Sequence, residues 1–229
     1  MRKTPPAGSR VKKHRFNKAW MHEHVTDPYV REAQAKGYRS RAAFKLTELA
    51  DKDRLLKPGM RVVDLGAAPG SWCQVLRERL GPSSRIVAVD LLAMEPLSGV
   101  TFIQGDFGEE ATLHAVAAAL GSAKVDLVLS DLAPNISGIA SADQARSVYL
   151  GERALEFATE VLQPGGDLVV KAFQGAGFSD LERQFRTLFD KVYVRKPKAS
   201  RDRSREVFLV AKGLRTLGSA KRDVTSSGA

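Results

Sequence analysis

The chain has almost no cysteine: Cys73 stands alone among 229 residues. A single thiol excludes an intramolecular disulfide and a cysteine zinc cluster, and it allows a reducing compartment. No apolar run approaches the roughly 18 residues of a membrane span, and no secretory h-region is present. No internal repeat is visible, and low-complexity character is confined to the termini. Acids are missing from residues 1–20, which are rich in Lys and Arg. A mitochondrial transit peptide would share that bias, but Pro5, Pro6 and Gly8 interrupt any early helix and apolar residues are sparse. The whole chain is 43% hydrophobic, which fits a soluble globular protein with a real core; a cytoplasmic location and a monomer are expected.

The net charge of +10 is unevenly placed. Residues 1–41 hold eleven Lys/Arg and three acids; the rest holds twenty-five against twenty-three. A nearly neutral body therefore carries a basic arm, and such an arm suits phosphate contacts that weaken with salt. A solubilising tail is the plainer alternative. Residues 1–19 are expected to be disordered, and so are residues 214–229, where apolar periodicity is lost.

Between these ends, strand and helix patterns alternate. A polar helical segment runs from Lys18 to Lys36, broken near Asp27-Pro28. Ser40 is the expected N-cap of a helix over Arg41–Lys52 with Phe44, Leu46, Leu49 and Ala50 on its apolar face. Strands are expected at 61–65, 85–90, 100–104, 125–130, 167–172, 191–195 and 206–211. Helices are expected at 72–80, 109–120, 141–162 and 179–189, with Gln163-Pro164-Gly165-Gly166 as a stop before the fifth strand. The pattern predicts a doubly wound α/β fold with a mainly parallel seven-stranded sheet. The last two strands have no helix between them, which predicts an antiparallel hairpin at the edge.

In such a sheet, ligands bind beyond the carboxyl ends of the strands. The first strand ends in Asp64-Leu65-Gly66-Ala67-Ala68-Pro69-Gly70, the second at Asp90, followed by Leu91, and Asp106 follows the third. A dinucleotide fold wants G-x-G-x-x-G, so that a helix N-terminus meets a pyrophosphate. Here Ala68 stands for the second glycine and Pro69 removes an N–H, which favours a ligand without phosphates and disfavours an NAD-dependent dehydrogenase. Adenosylmethionine, with its carboxylate, ammonium and sulfonium, is such a ligand. Asp90 suits its ribose hydroxyls and Asp106 its adenine amino group.

Four further charges sit at the lips of apolar segments: Lys45, Asp131, Lys171 and Glu206. Buried charges are costly unless paired or used, so these form either a structural ion-pair network or a catalytic set. The segments that carry them, Ser40-Arg41-Ala42-Ala43-Phe44-Lys45-Leu46, Ser130-Asp131-Leu132-Ala133-Pro134-Asn135, Val170-Lys171-Ala172-Phe173-Gln174-Gly175 and Ser204-Arg205-Glu206-Val207, together with Asp64–Gly70, resemble the successive motifs of the FtsJ/RrmJ family, also called RlmE. These are adenosylmethionine-dependent 2′-O-ribose methyltransferases of RNA.

The resemblance spans about Trp20 to Gly213 and implies a Rossmann-like methyltransferase domain over residues 20–213. It implies a catalytic set of Lys45, Asp131, Lys171 and Glu206, with Lys171 as the base toward the 2′-hydroxyl. It also implies cofactor contacts at Gly70, Trp72, Asp90, Asp106 and Asp131, within a site that includes Gly66, Ala67, Pro69 and Leu91. Ser71 stands where relatives often have a second glycine; it is still small. Cys73 reads as packing. No metal is implied.

Two separate basic segments suit an RNA strand: the basic arm, and the loop Arg195–Arg205, with six basic residues and one acid, in which Lys196, Lys198, Arg201 and Arg203 are the candidate contacts; Arg39 and Arg41, beside Lys45, suit the same role. A 2′-hydroxyl acceptor implies RNA rather than DNA. The resemblance implies a uridine in the A loop of large-subunit ribosomal RNA, within the assembled subunit. Transfer RNA is the alternative substrate, and a non-catalytic RNA-binding assembly factor the alternative class.

Overall fold

The computed structural model describes residues 27–216, apart from residue 136. The basic arm, the helical pattern over 18–26 and the tail beyond 216 lie outside the described residues. The elements run α1 (Pro28–Ala35), α2 (Ala42–Asp53), β1 (Arg61–Leu65), α3 (Ser71–Leu80), β2 (Arg85–Asp90), β3 (Val100–Gln104), α4 (Glu110–Leu120), β4 (Val125–Ser130), α5 (Ala140–Val161), β5 (Leu162–Phe173), α6 (Phe178–Leu188), β6 (Phe189–Arg195) and β7 (Glu206–Leu214).

One seven-stranded sheet has the order β3-β2-β1-β4-β5-β7-β6. The strands from β3 to β5 are parallel, and β7 runs antiparallel to both β5 and β6. The chain leaves β1 toward β2 and β3 on one side and returns to β4 on the other. The switch point therefore falls between β1 and β4, where a crevice opens beyond the strand ends.

Alternate residues of each strand feed opposite faces. Val62, Ile86, Leu127, Leu129, Val169, Phe208 and Val210 pack with Leu46 and Leu49 of α2 and with Trp72 and Leu76 of α3. Val63, Val87, Val128, Leu168, Leu209 and Ala211 pack with Val116, Leu155, Leu181 and Phe185 of α4, α5 and α6. Burial on both faces explains the near-continuous apolar runs in β1, β4, β5 and β7. Among the described residues, no helix is long and apolar enough to cross a membrane.

The antiparallel C-terminal hairpin forms at one edge of the sheet as expected, with β6 outermost and β7 between it and β5; every residue from Glu206 to Ala211 is buried. Two local features differ from the sequence expectation. The stop at Gln163–Gly166 is instead a bulge within β5: Leu162 pairs with Val125 and Asp167 with Leu127, so these four residues stand against Asp126 alone. In α2 the face toward the sheet is Ala43, Leu46, Leu49 and Ala50. Phe44 turns away to meet Tyr29 and Tyr38, at ring centroid distances of 5.6 and 5.8 Å. Arg41 occupies the cap position, and Ser40 Oγ accepts from Ala42 N at 3.2 Å.

Candidate active site

The turn after β1 is closed on itself. Gly66 N and Ala67 N both donate to Val89 O of β2, at 2.9 and 3.1 Å, and Gly70 N donates to Ala67 O at 2.6 Å. Ala68 N donates to Asp90 Oδ2 at 2.8 Å. Pro69 has no N–H. The turn thus presents no cluster of free amides for a pyrophosphate, which agrees with the ligand class inferred from its residues. The amides at the start of α3 have no intrahelical acceptor and face the same end of the sheet.

A crevice of about 790 Å³ opens here, lined by Gly66, Asp90, Leu91, Asp106, Asp131 and Lys171 among others. That volume suits a nucleoside-sized ligand. Each Asp90 oxygen accepts one backbone N–H, from Ala68 and from Leu92, which holds the carboxylate rigid with lone pairs to spare. Asp106 is exposed and its Oδ1 accepts from Gly108 N at 2.8 Å. Leu91 is 57% exposed at the rim. Ala67 is buried among Cys73, Ala88 and Met94 and supports the turn from beneath. Trp72 turns its side chain away from the crevice. Its indole is buried on Phe208 and its Nε1 donates to Ala42 O at 2.8 Å, so only its backbone amide is available to a ligand.

Asp64 lies beneath this floor, fully buried, with Cys73 Sγ donating to its Oδ2 at 3.3 Å and with Oδ1 unpaired. Burial pushes its carboxyl up to about 7; the Cys73 hydrogen bond opposes this, and the Asp131 and Asp90 charges add to it. Burial, together with Asp64, pushes the Cys73 thiol up as well, so Cys73 is a neutral donor in a packed site. A carboxyl whose folded value exceeds its unfolded one binds its proton more tightly in the fold. Its contribution to stability is complete below the unfolded value near 4 and is lost as pH rises through about 7. Asp64→Asn should therefore gain a few kcal/mol in stability relative to the parent chain between pH 5 and pH 8. Denaturant unfolding at several pH values tests this; parallel pH curves for the two proteins would refute it.

The four charges at the strand lips form two ion pairs. Lys171 Nζ donates to Asp131 O at 2.6 Å and lies 3.1 Å from Asp131 Oδ1. That oxygen is buried and has no aligned hydrogen bond, so the second contact is an ion pair only. Lys45 Nζ lies 2.7 Å from Glu206 Oε1 and donates to Oε2 at 2.9 Å. Burial disfavours the Glu206 charge, but Lys45, Ser200 and the charge of Lys171 outweigh it and hold the carboxyl below its ordinary range. The β5–β7 register sets the pairs side by side, with Lys171 opposite Phe208 and Phe173 opposite Glu206. Lys45 Nζ lies over the Phe208 ring at 5.8 Å.

Lys171 and Asp131 line the crevice; Lys45 and Glu206 line a second cavity of about 490 Å³, with Ser40, Arg41, Arg201 and Arg203 on its wall. Among the described residues, no group of three or more His, Cys, Asp or Glu side chains is arranged to hold a metal.

The cations proposed for RNA divide in two. Arg39 is a clamp rather than an exposed cation. Its guanidinium donates to Pro69 O at 3.0 Å, Glu95 O at 2.8 Å and Pro96 O at 3.1 Å, tying the Gly70 turn to the segment after β2. Arg41 is likewise engaged, with Asp27 and with Ala199 O. Both guanidiniums are held by carbonyl or carboxylate oxygens that lie far away in sequence. Lys196 donates back to Ser204 O within its own loop and remains exposed, as do Lys198 and Arg203. The residue of this region that the sequence reading passed over is Ser200, a buried serine in a basic loop, where composition suggests only a solvated side chain.

The fold is Rossmann-like, with a crevice at the sheet's switch point, where open α/β sheets hold their ligands. The sequence model of the FtsJ-like methyltransferases matches residues 38–214, and the chain belongs to that family. It is 57% identical over 205 residues to a ribosomal RNA large subunit methyltransferase E of Azoarcus sp. (strain BH72), covering 90% of this chain and all of that one. A protein of the same name from Bordetella parapertussis is 56% identical over 208 residues, covering 89% and 99%. Among solved structures, a ribosomal RNA methyltransferase from Plasmodium falciparum superimposes with a TM-score of 0.70 at 33% identity, covering 77% of this chain and 98% of that one.

Proposed function

We propose that this chain transfers a methyl group from S-adenosylmethionine to the 2′-hydroxyl of a uridine in the A loop of large-subunit ribosomal RNA, in the assembled subunit. The observation that carries the reading is the position of Lys171, at the wall of the crevice at the sheet's switch point and beside a second, cation-lined cavity. The crevice residues fit the cofactor. Asp90 and Asp106 offer acceptors for ribose and adenine, and Gly66 lines the crevice without a side chain. The first amides of α3, including that of Trp72, suit a carboxylate.

S-adenosylmethionine supplies the methyl group and the neutral leaving sulfur. The chain's own residues orient the ribose oxygen in line and accept its proton. Alignment at about 3–3.5 Å supplies much of the rate in such a displacement. Lys171 is the base toward the hydroxyl in its neutral form, so the ammonium paired with Asp131 first gives a proton to solvent; Asp131 holds Lys171 in place, and Lys45 with Glu206 positions the ribose from the second cavity. Arg201 and Arg203 on the cavity wall, with Lys196 and Lys198 outside it, guide the phosphate backbone. The same reading makes the protein a cytoplasmic monomer, with residues 20–213 as its catalytic domain and the basic residues 1–19 adding affinity for RNA.

The test is transfer of labelled methyl from S-adenosylmethionine to large ribosomal subunits that lack ribose methylation, with transfer RNA in parallel. Label on one alkali-resistant dinucleotide of the large-subunit RNA is the expected result. Label on transfer RNA alone would replace the substrate and keep the chemistry; cofactor binding without transfer to either RNA would overturn the enzymatic reading.

A further inference from the structure

Ser200 has no part in the reading above, yet its environment is specific. It is 3% exposed, and its Oγ donates to Glu206 Oε1 at 2.7 Å. The same Oε1 lies 2.7 Å from Lys45 Nζ, so the carboxylate is gripped from two directions. The serine is itself held firmly. Ser200 N donates to Pro197 O at 2.9 Å, Lys198 N donates to Glu48 Oε2 at 2.7 Å, and Ala199 O accepts from Arg41. At the base of the loop, Arg195 meets both oxygens of Asp53, the closest contact being 2.6 Å. The inner half of this basic loop is thus pinned to α2, while Arg201 and Arg203 on its outer half line the second cavity.

The groups facing Glu206 are Lys45 from α2, Lys171 from β5 and Ser200 from the loop, with Arg41, Arg201 and Arg203 on the wall of the same cavity. All but Ser200 are cations, which attract a carboxylate with little preference for its rotation. A hydroxyl at hydrogen-bond distance is directional. Lys and Glu side chains also have many rotamers, so the pair alone is loosely fixed.

We propose that Ser200 is a positioning residue of the methyl-transfer site, whose hydroxyl fixes the Glu206 carboxylate and, through it, the Lys45 ammonium against the acceptor ribose. This rests on the methyl-transfer reading above. It also gives the loop a second role, because the segment that meets the RNA is the one that sets the Glu206 rotamer.

The experiment compares the full chain with Ser200→Ala, Ser200→Thr, Glu206→Gln and the Ser200→Ala/Glu206→Gln double variant. Carbon-detected NMR titration of Glu206 in the protein without RNA should show its midpoint rise in Ser200→Ala, because a hydrogen bond that favours the charged form is lost. With RNA, kcat of Ser200→Ala should fall on the order of tenfold, with KM and cofactor affinity near wild type, and Ser200→Thr should recover activity. The double variant should be no slower than Glu206→Gln alone. An unmoved Glu206 titration, or the same loss in the Glu206→Gln background, would overturn the proposal and leave Ser200 a packing residue. Wild-type protein in the same assay separates the two questions: if it transfers no methyl group, the enzymatic reading fails, whereas wild-type turnover with an unchanged Ser200→Ala kcat defeats the Ser200 proposal alone.

Discussion

Lys171→Ala is expected to lower methyl transfer by roughly 10³-fold or more, the range that loss of a positioned proton acceptor produces. Equilibrium binding of S-adenosylmethionine should stay close to that of the parent chain, because the Gly66 turn and Asp90 are held by backbone hydrogen bonds that do not involve Lys171. The substitution does remove the ion-pair partner of Asp131 Oδ1, an oxygen with no other hydrogen bond. Leaving a buried carboxylate without its cation costs stability, so Lys171→Gln is the companion variant: it keeps a donor for Asp131 O and no base. Both should be inactive, and the glutamine variant should melt closer to the parent chain. Measurable turnover in Lys171→Gln would remove Lys171 from the role of base, and loss of cofactor binding in both would move it to the cofactor site.

The second large effect is expected at Gly66. Its φ of 79° is one that side-chain-bearing residues rarely adopt, and a Cβ there would lie 2.9 Å from Leu132 N and 3.0 Å from the Asp131 carbonyl carbon. These are backbone atoms of the segment leaving β4, so they cannot swing aside as a side chain would. Gly66→Ala must open the junction between β1 and β4 and displace Asp131 from Lys171. Strain at this φ costs about 1–3 kcal/mol, and cofactor affinity should fall by more than about tenfold. Gly165→Ala is the matched control: its φ is 80°, but nothing lies within 4 Å of the added Cβ. It should show the strain in its melting temperature and keep its cofactor affinity. If Gly165→Ala weakens cofactor binding as much as Gly66→Ala, general destabilisation is the cause rather than the closed approach of the two turns.

Much of the framework was legible along the chain. β1, β2 and β4 follow their apolar runs, because a strand buried on both faces must be largely apolar and ends near a charge or glycine. The acids at the strand ends were visible for the same reason. Lys45, Asp131, Lys171 and Glu206 stood out as charges bordering apolar segments, and the structure joins them in two neighbouring ion pairs.

Other features depend on partners distant in sequence. Arg39 and Arg41 read as phosphate contacts because a run of cations suggests a polyanion. The partners of Arg39, at Pro69, Glu95 and Pro96, and one partner of Arg41, at Ala199, are backbone carbonyls that have no signature in a sequence; the other partner of Arg41 is the Asp27 carboxylate. The burial of β7 between β5 and β6, the turning of Trp72 into the core and the enclosure of Asp64 are likewise outcomes of packing.

By itself, then, the order of residues determined the alternating fold, the phosphate-poor turn and the charges bordering the site, since each depends on local periodicity or on the solvation cost of a single side chain. Which cation is held by backbone carbonyls, which acid has its pKa raised by burial, and which serine grips Glu206 were decided only by tertiary structure. Hydrogen-bond direction and dielectric environment belong to groups brought together from as far apart as Arg41 and Ala199, and do not exist until the chain has closed around them.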